Sequence, residues 1–254
     1  MDIALKARFL ERWEKYFAGA PFPLGFFYSD SEVCEQHLHP AKGHVCVVCQ
    51  LTIARKGKTF CVERESIGCF GGRRYLGFST DLMPDFDYFL SCGIPGQLEG
   101  ERYKRTPELV RELVHQAPTF TAPARYGVFK RRDTLEAHDE PQVVIFFATP
   151  DVLAGLFTLA NFDEPEPHGV IAPFAAGCGT IVQYPWLEKD RARPRAVLGN
   201  FDVSARPCLD AGELSFAVPI SKFRGMVEQM DESFLITASW EKVKRRIRAA
   251  TNET

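Results

Sequence analysis

The sequence predicts an α+β protein built of two similar halves that pack as one globular unit. Amphipathic helical periodicity opens and closes the chain, and short apolar runs bounded by proline and glycine, typical of buried strands, occur in both halves. The order of apolar elements is also repeated along the chain, which indicates an internal duplication. With 254 residues, of which 45% are hydrophobic, the chain can bury a large core.

The first helix is predicted near the N-terminus. Four apolar residues recur there at every fourth position, with charged residues between them: Leu5, Phe9, Trp13 and Phe17. This spacing places them on one face of an amphipathic helix that ends near Gly19. Pro21 and Pro23 then lead into the apolar run LGFFY at 24–28, which we expect to form a strand.

A second helix is predicted after His39 and Pro40. Five residues follow helical spacing there, and Gly57 is placed to end the helix: Val45, Val48, Cys49, Thr52 and Ile53. Because Cys46 and Cys49 are three positions apart, they share a face of this helix. Residues 59–62 then predict a strand.

The remainder of the first half is less regular. Residues 68–77 form a glycine-rich turn that opens a helix, and residues 78–105 are aromatic and punctuated by proline. Thr106 and Pro107 then supply the capping hydroxyl and the first-turn proline of a further helix.

The second half repeats the pattern of the first. The segment PQVVIFFATP (141–150), with a predicted strand, aligns with PFPLGFFYSD (21–30). Three further matches follow. Phe174, Cys178, Ile181 and Val182 align with Val45, Cys49, Thr52 and Ile53, and residues 198–201 align with 67–70. Phe223, Met226 and Val227 align with Val110, Leu113 and Val114. These matches divide the chain into halves at 1–118 and 119–254. The alternative is a pair of unrelated α+β lobes.

The two predicted halves differ in ways that bear on function. A thiol cluster and the glycine turn belong to the first half, which also carries extra residues within 81–97 that we expect to form a lid. The second half ends in a basic helix at 239–250, whose solvated face complements the helix dipole.

The charge balance excludes some classes of partner. The chain has 31 Lys and Arg residues and 33 Asp and Glu residues, so it lacks the net positive charge that would attract nucleic acid or anionic lipid. No apolar run is long enough to predict a membrane span, and the N-terminal residues lack the apolar core of a signal peptide. We therefore expect a cytoplasmic protein whose eight cysteines are buried thiols, redox groups or metal ligands.

The cysteines predict a metal site. Four of them lie within 45–77, and the spacing of Cys46 and Cys49 suits one chelated metal or a redox disulfide. The spacing of Cys61 and Cys69 matches no standard zinc motif, but iron–sulfur ligation tolerates such spacing. The predicted metal ligands are Cys46, Cys49 and Cys69, with His44 adjacent and Cys92 and Cys178 as further candidates. Packing of the cysteines as small hydrophobic residues is the alternative.

The glycine turn predicts an anion site. Backbone N–H groups of Gly71 and Gly72, with the guanidinium groups of Arg73 and Arg74, can bind a carboxylate or a phosphate. Cys178 is a comparable candidate for ligand binding, because flanking glycines let a ligand approach the backbone closely. The alternatives are a glycine turn followed by surface arginines, and tight packing around Cys178.

We expect Cys49 and Cys69 to lie close together. The helix that carries Cys49 and the glycine turn at Gly68 would point into one pocket, where Arg73 would stabilise a thiolate. Three thiolates would leave one position of a metal open for substrate. The chain has no Gly-x-Ser-x-Gly and no His-Glu-x-x-His motif, so it carries no hydrolase signature.

Several of these residues occur in motifs that resemble the domain-of-unknown-function family numbered 169. The similar segments are CQLTIARKG at 49–57, GCFGG at 68–72 with Gly77 after it, Ala205 with Arg206, and ELSFAVP at 213–219. The family pattern has Cys-Pro-Gly-Ala or a close variant around its second cysteine, where this chain has CFGG at 69–72. The resemblance implies a cytoplasmic prokaryotic protein, often from anaerobes, without an established activity.

The resemblance points to Cys49 and Cys69 among the thiols, and the anaerobic hosts favour an iron–sulfur cluster over zinc. The sequence therefore predicts a thiolate-ligated metal or iron–sulfur protein that binds a small anionic molecule and acts in redox chemistry. The alternative is a metal-free small-molecule binding or sensing module with structural cysteines. The sequence leaves open the substrate, enzymatic activity, the electron partner and the oligomeric state.

Overall fold

A computed structural model describes residues 2–37 and 45–252 of the chain. Over these ranges, eight strands form one mixed sheet: β1 (Leu24–Ser29), β2 (Gln36–His37), β3 (Phe60–Val62), β4 (Tyr126–Arg131), β5 (Val143–Ala148), β6 (Val170–Ile171), β7 (Ala196–Gly199) and β8 (Leu214–Pro219). Their order across the sheet is β2-β3-β4-β1-β5-β8-β7-β6. His39, Pro40 and His44 lie outside the described residues.

Helices cover both faces of this sheet. The α-helices of the described residues are α1 (Ile3–Phe17), α2 (Val47–Gln50), α3 (Thr52–Arg55), α4 (Phe70–Tyr75), α5 (Phe86–Phe89), α6 (Pro107–Gln116), α7 (Pro150–Ala160), α8 (Tyr184–Glu188), α9 (Ile220–Gln229) and α10 (Ala238–Asn252). A π-helix at Gly179–Gln183 and 3-10 turns such as Arg206–Cys208 complete the set. The structure thus confirms a mixed α and β fold. None of these helices has the length and apolarity needed to cross a bilayer.

Local sequence signals explain where the helices begin. Asp2 caps α1 by accepting a hydrogen bond from the Leu5 N–H at 3.0 Å, and Thr106 caps α6 through Leu109 N–H at 3.4 Å. The helix predicted to end at Gly57 is interrupted at Leu51, which separates α2 from α3. The basic C-terminal helix is present as α10.

The sheet consists of two groups of four strands with the same internal order. In the first group, β1 pairs antiparallel with β4, β4 antiparallel with β3, and β3 parallel with β2. In the second group, β5, β8, β7 and β6 repeat this pattern. The groups meet where β1 and β5 pair antiparallel through Leu24–Ile145, Gly25–Val144 and Phe26–Val143.

Two of the sequence matches fall on corresponding elements. Segments 21–30 and 141–150 contain β1 and β5. Cys49 lies in the connection from β2 to β3, and Cys178 lies in the corresponding connection from β6 to β7. The other two matches are wrong, because they align elements that do not correspond. Residues 198–201 include the last two residues of strand β7, whereas 67–70 include the first residue of helix α4. Helix α6 precedes β4, whereas α9 follows β8.

The connections within the two groups differ in length. Residues 63–125 connect β3 to β4, whereas only residues 200–213 connect β7 to β8. The extra residues expected within 81–97 lie in the longer connection. Strand β4, although it follows residue 118, pairs with β1 and β3 of the first group.

Alternating side chains direct two large apolar clusters to opposite faces of the sheet. Val144, Phe146 and Ala148 of β5 join one cluster, which we call the α1 cluster because it also contains Phe9 and Trp13. Val143, Ile145 and Phe147 of β5 join the other cluster, which we call the thiol-face cluster. Cys178 is buried in it, and Cys46, Cys69 and Cys208 pack against it.

Candidate functional site

The centre of the candidate site is a group of three cysteines on the thiol face. Cys46 is the residue immediately before α2, Cys49 lies within α2, and Cys208 ends the turn at Arg206–Cys208. Each sulfur lies within 4.8 Å of the other two. All three residues are half-buried. Cys49 and Cys208 form a disulfide with a Cα–Cα distance of 4.5 Å, and Cys46 is a free thiol.

Arg55 holds the segment with Cys208 against α3, and Arg206 stabilises that segment internally. Arg55 donates from Nη2 to Glu213 Oε1 at 2.8 Å, and its guanidinium lies 5.2 Å from the ring centroid of Phe147. Arg206 donates to the carbonyl oxygens of Glu213 and Ala211, at 2.6 Å and 3.0 Å. Because the Glu213 carboxylate is mostly buried, its ion pair is screened less by water than a surface pair.

Cys69 lies beside this group at the start of α4. Its Sγ accepts a hydrogen bond from Gly72 N–H at 3.4 Å. A Cβ on Gly72 would lie 3.3 Å from Val47 Cγ2 and 2.8 Å from Ile67 Cγ2, so the first turn of α4 packs tightly against α2. Burial raises the pKa of the Cys69 thiol, the Gly72 hydrogen bond lowers it, and the nearby Cys46 raises it further.

Cys178 reaches the same region from the second strand group. It lies directly before the π-helix, an element that is often found at functional sites. A Cβ on the preceding Gly177 would be 3.0 Å from Val48 Cγ2, which places this turn against α2. Burial raises the pKa of Cys178 well above its usual value, and the nearby thiols of Cys46 and Cys69 raise it further.

A fully buried asparagine adjoins Cys178. Asn200 has a left-handed backbone with φ of 61°, and neither its Oδ1 nor its Nδ2 has a hydrogen-bond partner among the described residues. Its Oδ1 lies 2.7 Å from the position of a Cβ on Gly177. The Gly177 N–H donates to Asp202 Oδ2 at 3.3 Å. Glycine is therefore required at position 177 for this close packing.

The structure brings together two of the three cysteines predicted as metal ligands, and Cys208 joins them in place of Cys69. Cys46 and Cys49 are neighbours as expected, but the sulfur bonded to Cys49 belongs to Cys208 rather than Cys69. Cys61 is not part of the site. Its side chain lies on the opposite face of the sheet, in a disulfide with Cys34, because alternate residues of β3 face opposite sides.

The predicted anion-binding residues lie in and around the first turn of α4. Gly71 and Gly72 open this helix, and the Gly72 N–H donates to Cys69. Arg73 Nε donates to the Ile67 carbonyl at 2.5 Å, and Arg74 Nη1 donates to the Thr80 carbonyl. One donor of each guanidinium therefore stabilises the local chain.

Cys208 is the site residue that the sequence analysis missed. It stands 159 positions from Cys49, and it forms no Cys-x-x-Cys pair of its own. The available signal was indirect. Ala205 and Arg206, which carry part of the family resemblance, come just before it, and Arg206 shapes the segment that presents Cys208.

A second group of potential ligands contains Glu136, His138 and Asp139, whose ligand atoms also lie within 4.8 Å of one another. Lys130 Nζ lies 2.9 Å from Glu136 and 3.0 Å from Asp139. The ammonium group already pairs with both carboxylates, so a cation would have to displace it. The thiol group is the better candidate for a metal.

The comparisons with known proteins bear on the family alone. No curated protein and no solved structure matched the chain. The family described as Uncharacterised ArCR, DUF169, matches residues 18–229. The match includes the cysteines of the thiol face and the strands beneath them. The chain therefore belongs to domain-of-unknown-function family 169.

Proposed function

We propose that this protein is a thiolate-ligated metal or iron–sulfur protein whose ligands are Cys46, Cys49 and Cys208. One observation carries the proposal: three sulfurs from two distant parts of the chain lie within 4.8 Å of one another. Thiolates are the donors of structural zinc sites and iron–sulfur clusters. The ligand-competent state is the reduced one, because a sulfur must be a thiolate to bind a metal.

Cys208 takes the place in this ligand set that the sequence analysis gave to Cys69. Cys69 and Cys178 lie on turns that pack against α2 through Gly72 and Gly177, so they are candidates for a further thiolate. Their raised pKa values mean that both are protonated at neutral pH without a metal. Binding of a cation would release these protons.

The proposed substrate or ligand is a small anionic molecule. Three protein ligands leave one position of a four-coordinate metal open, which is the arrangement of catalytic zinc sites. The remaining N–H groups of Arg73 and Arg74 supply positive charge near Cys69, in the same turn as Gly71 and Gly72. A redox role suits the cysteine donors, since iron–sulfur clusters transfer electrons.

We also propose that the two strand groups arose by internal duplication, with repeats at 24–131 and 143–219. Their identical strand order and pairing directions support this. The site then lies where the two repeats meet. The first contributes Cys46, Cys49 and Cys69, and the second contributes Cys178 and Cys208.

The metal proposal is tested by purifying the protein anaerobically under reductant. Elemental analysis and the absorption at about 400 nm are then measured. We expect bound zinc or a coloured cluster in the wild type and loss of most of it in Cys46→Ser, Cys49→Ser and Cys208→Ser. The matched control is Cys92→Ser, because Cys92 is an exposed free thiol. Circular dichroism of each variant separates metal loss from unfolding. Unchanged metal content in the three variants would remove these residues from the site.

The runner-up is a metal-free module that binds or senses a small molecule. The Cys49–Cys208 disulfide favours this reading, because a disulfide ties two parts of the chain together without any metal. It predicts no metal in the reduced wild type after anaerobic reconstitution with zinc or with iron and sulfide. It also predicts a loss of stability on reduction.

A further inference from the structure

The two disulfides of the described chain have different surroundings. Cys49–Cys208 is half-buried and has the free thiol of Cys46 within 4.8 Å of both of its sulfurs. In the Cys34–Cys61 disulfide, Cys61 is fully buried, in the small cluster with Phe27 on the opposite face of the sheet. A thiol beside a reachable disulfide is the arrangement that permits exchange, because exchange needs a thiolate with access to a sulfur.

We propose that Cys46 is the exchange thiol that opens the Cys49–Cys208 disulfide. The thiolate of Cys46 attacks Cys49 Sγ, a Cys46–Cys49 bond forms, and the Cys49–Cys208 bond breaks. The electron pair leaves on Cys208 Sγ, which takes up a proton to become a thiol. This step conserves electrons, so it requires no external oxidant or reductant.

The product of this exchange is a disulfide between cysteines three positions apart, as in Cys-x-x-Cys redox motifs. A small dithiol reductant then converts it to two thiols and is itself oxidised to a cyclic disulfide. All three sulfurs are free after this second step. The inference rests on the proposed function, since these are the three proposed metal ligands and the disulfide state cannot supply them as thiolates.

Disulfide mapping of the full chain tests the exchange without any metal. The protein is stripped with a chelator, oxidised with an excess of oxidised glutathione, and incubated at about pH 8, where exchange through thiolates proceeds. Acid quenching, alkylation and mass spectrometry then identify each linkage. We expect the wild type to contain both Cys49–Cys208 and Cys46–Cys49, with Cys34–Cys61 unchanged.

Two variants sharpen the result. Cys46→Ser is expected to lose the Cys46–Cys49 linkage and keep Cys49–Cys208, whereas the control Cys92→Ser is expected to match the wild type. Wild-type protein with only Cys49–Cys208, and with Cys46 fully alkylated, would overturn the inference. A wild type without any Cys49–Cys208 linkage would overturn it as well. Because the wild type alone decides the question, a variant that fails to fold does not weaken the test.

A zinc titration of fully reduced wild-type protein separates this inference from the proposed function. Zinc binding without a Cys46–Cys49 linkage in the oxidised protein would refute the exchange and leave the metal site standing. A Cys46–Cys49 linkage without zinc or cluster binding would refute the metal site and leave the exchange standing.

Discussion

At the scale of single residues, Gly177 decides how closely the turn with Cys178 approaches its neighbours. A methyl group there would meet Asn200 Oδ1 at 2.7 Å and Val48 Cγ2 at 3.0 Å, in a region that is fully buried. We expect Gly177→Ala to lower the free energy of unfolding by about 1–3 kcal/mol, the usual range for overpacking. Urea titration followed by circular dichroism measures the change.

Gly225 offers the matched control, because it lies inside α9 and a Cβ there would meet nothing within 4 Å. Gly225→Ala is expected to leave the stability unchanged or raise it by about 0.5–1 kcal/mol, since alanine has the higher helix propensity. Equal effects of the two substitutions would show that the turn at Gly177 has room for a side chain.

Single residues also show where reading of the sequence succeeds and where it stops. Cys46 and Cys49 were predictable as a pair, because their spacing alone places them within one helical turn. Cys208 was not, because its approach to Cys49 depends on strand order and on the contacts of Arg55 and Arg206. Cys61, one of the four cysteines within 45–77, lies apart from the other thiols for a similar reason, since a strand residue can face either side of a sheet.

At the scale of elements, helix α1 is tied to the turn after α9 by one carboxylate. Asp231 accepts hydrogen bonds from Lys15 Nζ at 2.8 Å and the Tyr16 hydroxyl at 2.7 Å, and from Arg12 Nε at 2.7 Å. The Lys15 bond lowers the Asp231 pKa most, followed by that of Tyr16, and the pKa falls to about 2. The folded state therefore binds the Asp231 proton more weakly than the unfolded chain does.

A lowered pKa of this kind stabilises the fold at pH values above the pKa of the unfolded chain, which is about 4. The stabilisation is lost as the pH falls toward about 2. We expect Asp231→Asn to lower the free energy of unfolding at neutral pH by about 0.5–1 kcal/mol, because the carboxylate is partly exposed and screened. The difference from the wild type should disappear between about pH 4 and pH 2.

Thermal unfolding of both proteins across this pH range is the measurement. Asp190→Asn is the control, because the Asp190 carboxylate is 77% exposed and pairs with the adjacent Lys189. It is expected to change the stability by less than about 0.5 kcal/mol. A constant difference between wild type and Asp231→Asn down to pH 2 would contradict the role assigned to the carboxylate.

Elements with a clear period or cap were predictable, and those without one were not. The stripe of α1 and the cap of α6 predicted those helices, and the apolar runs predicted β1 and β5. Helix α7 carries apolar residues on most sides, so it has no contrast between faces to detect. The π-helix at Gly179–Gln183 depends on packing against β7 and β8, which no local pattern encodes.

At the scale of the whole molecule, the two strand groups share their hydrophobic clusters rather than each having its own. Helix α1 precedes the first group, yet its residues Phe9, Trp13 and Phe17 pack in one cluster with Phe146, Phe223 and Trp240 of the later chain. The thiol-face cluster also draws on both groups, from β1 and α2 to β5 and the π-helix. We therefore expect the chain to unfold as a single cooperative unit despite its repeated topology.

Phe146 lies where this cooperativity can be probed. It is 2% exposed, and its ring centroid lies 5.2 Å from that of Trp13 and 6.3 Å from that of Phe223. We expect Phe146→Ala to lower the free energy of unfolding by about 3–5 kcal/mol, through lost apolar burial and a cavity. The control is Phe162→Ala, which removes an exposed ring and should cost less than about 0.5 kcal/mol.

Trp186 supplies a reporter on the other face, because it packs against the thiol-face cluster whereas Trp13 and Trp240 belong to the α1 cluster. Fluorescence of a Trp13→Phe, Trp240→Phe protein then follows that face alone during urea unfolding. If one unit unfolds, Phe146→Ala added to this background shifts the Trp186 transition and the far-ultraviolet circular dichroism transition to the same lower urea concentration. A Trp186 transition that stays in place while the circular dichroism splits into two steps would mean that the strand groups unfold independently.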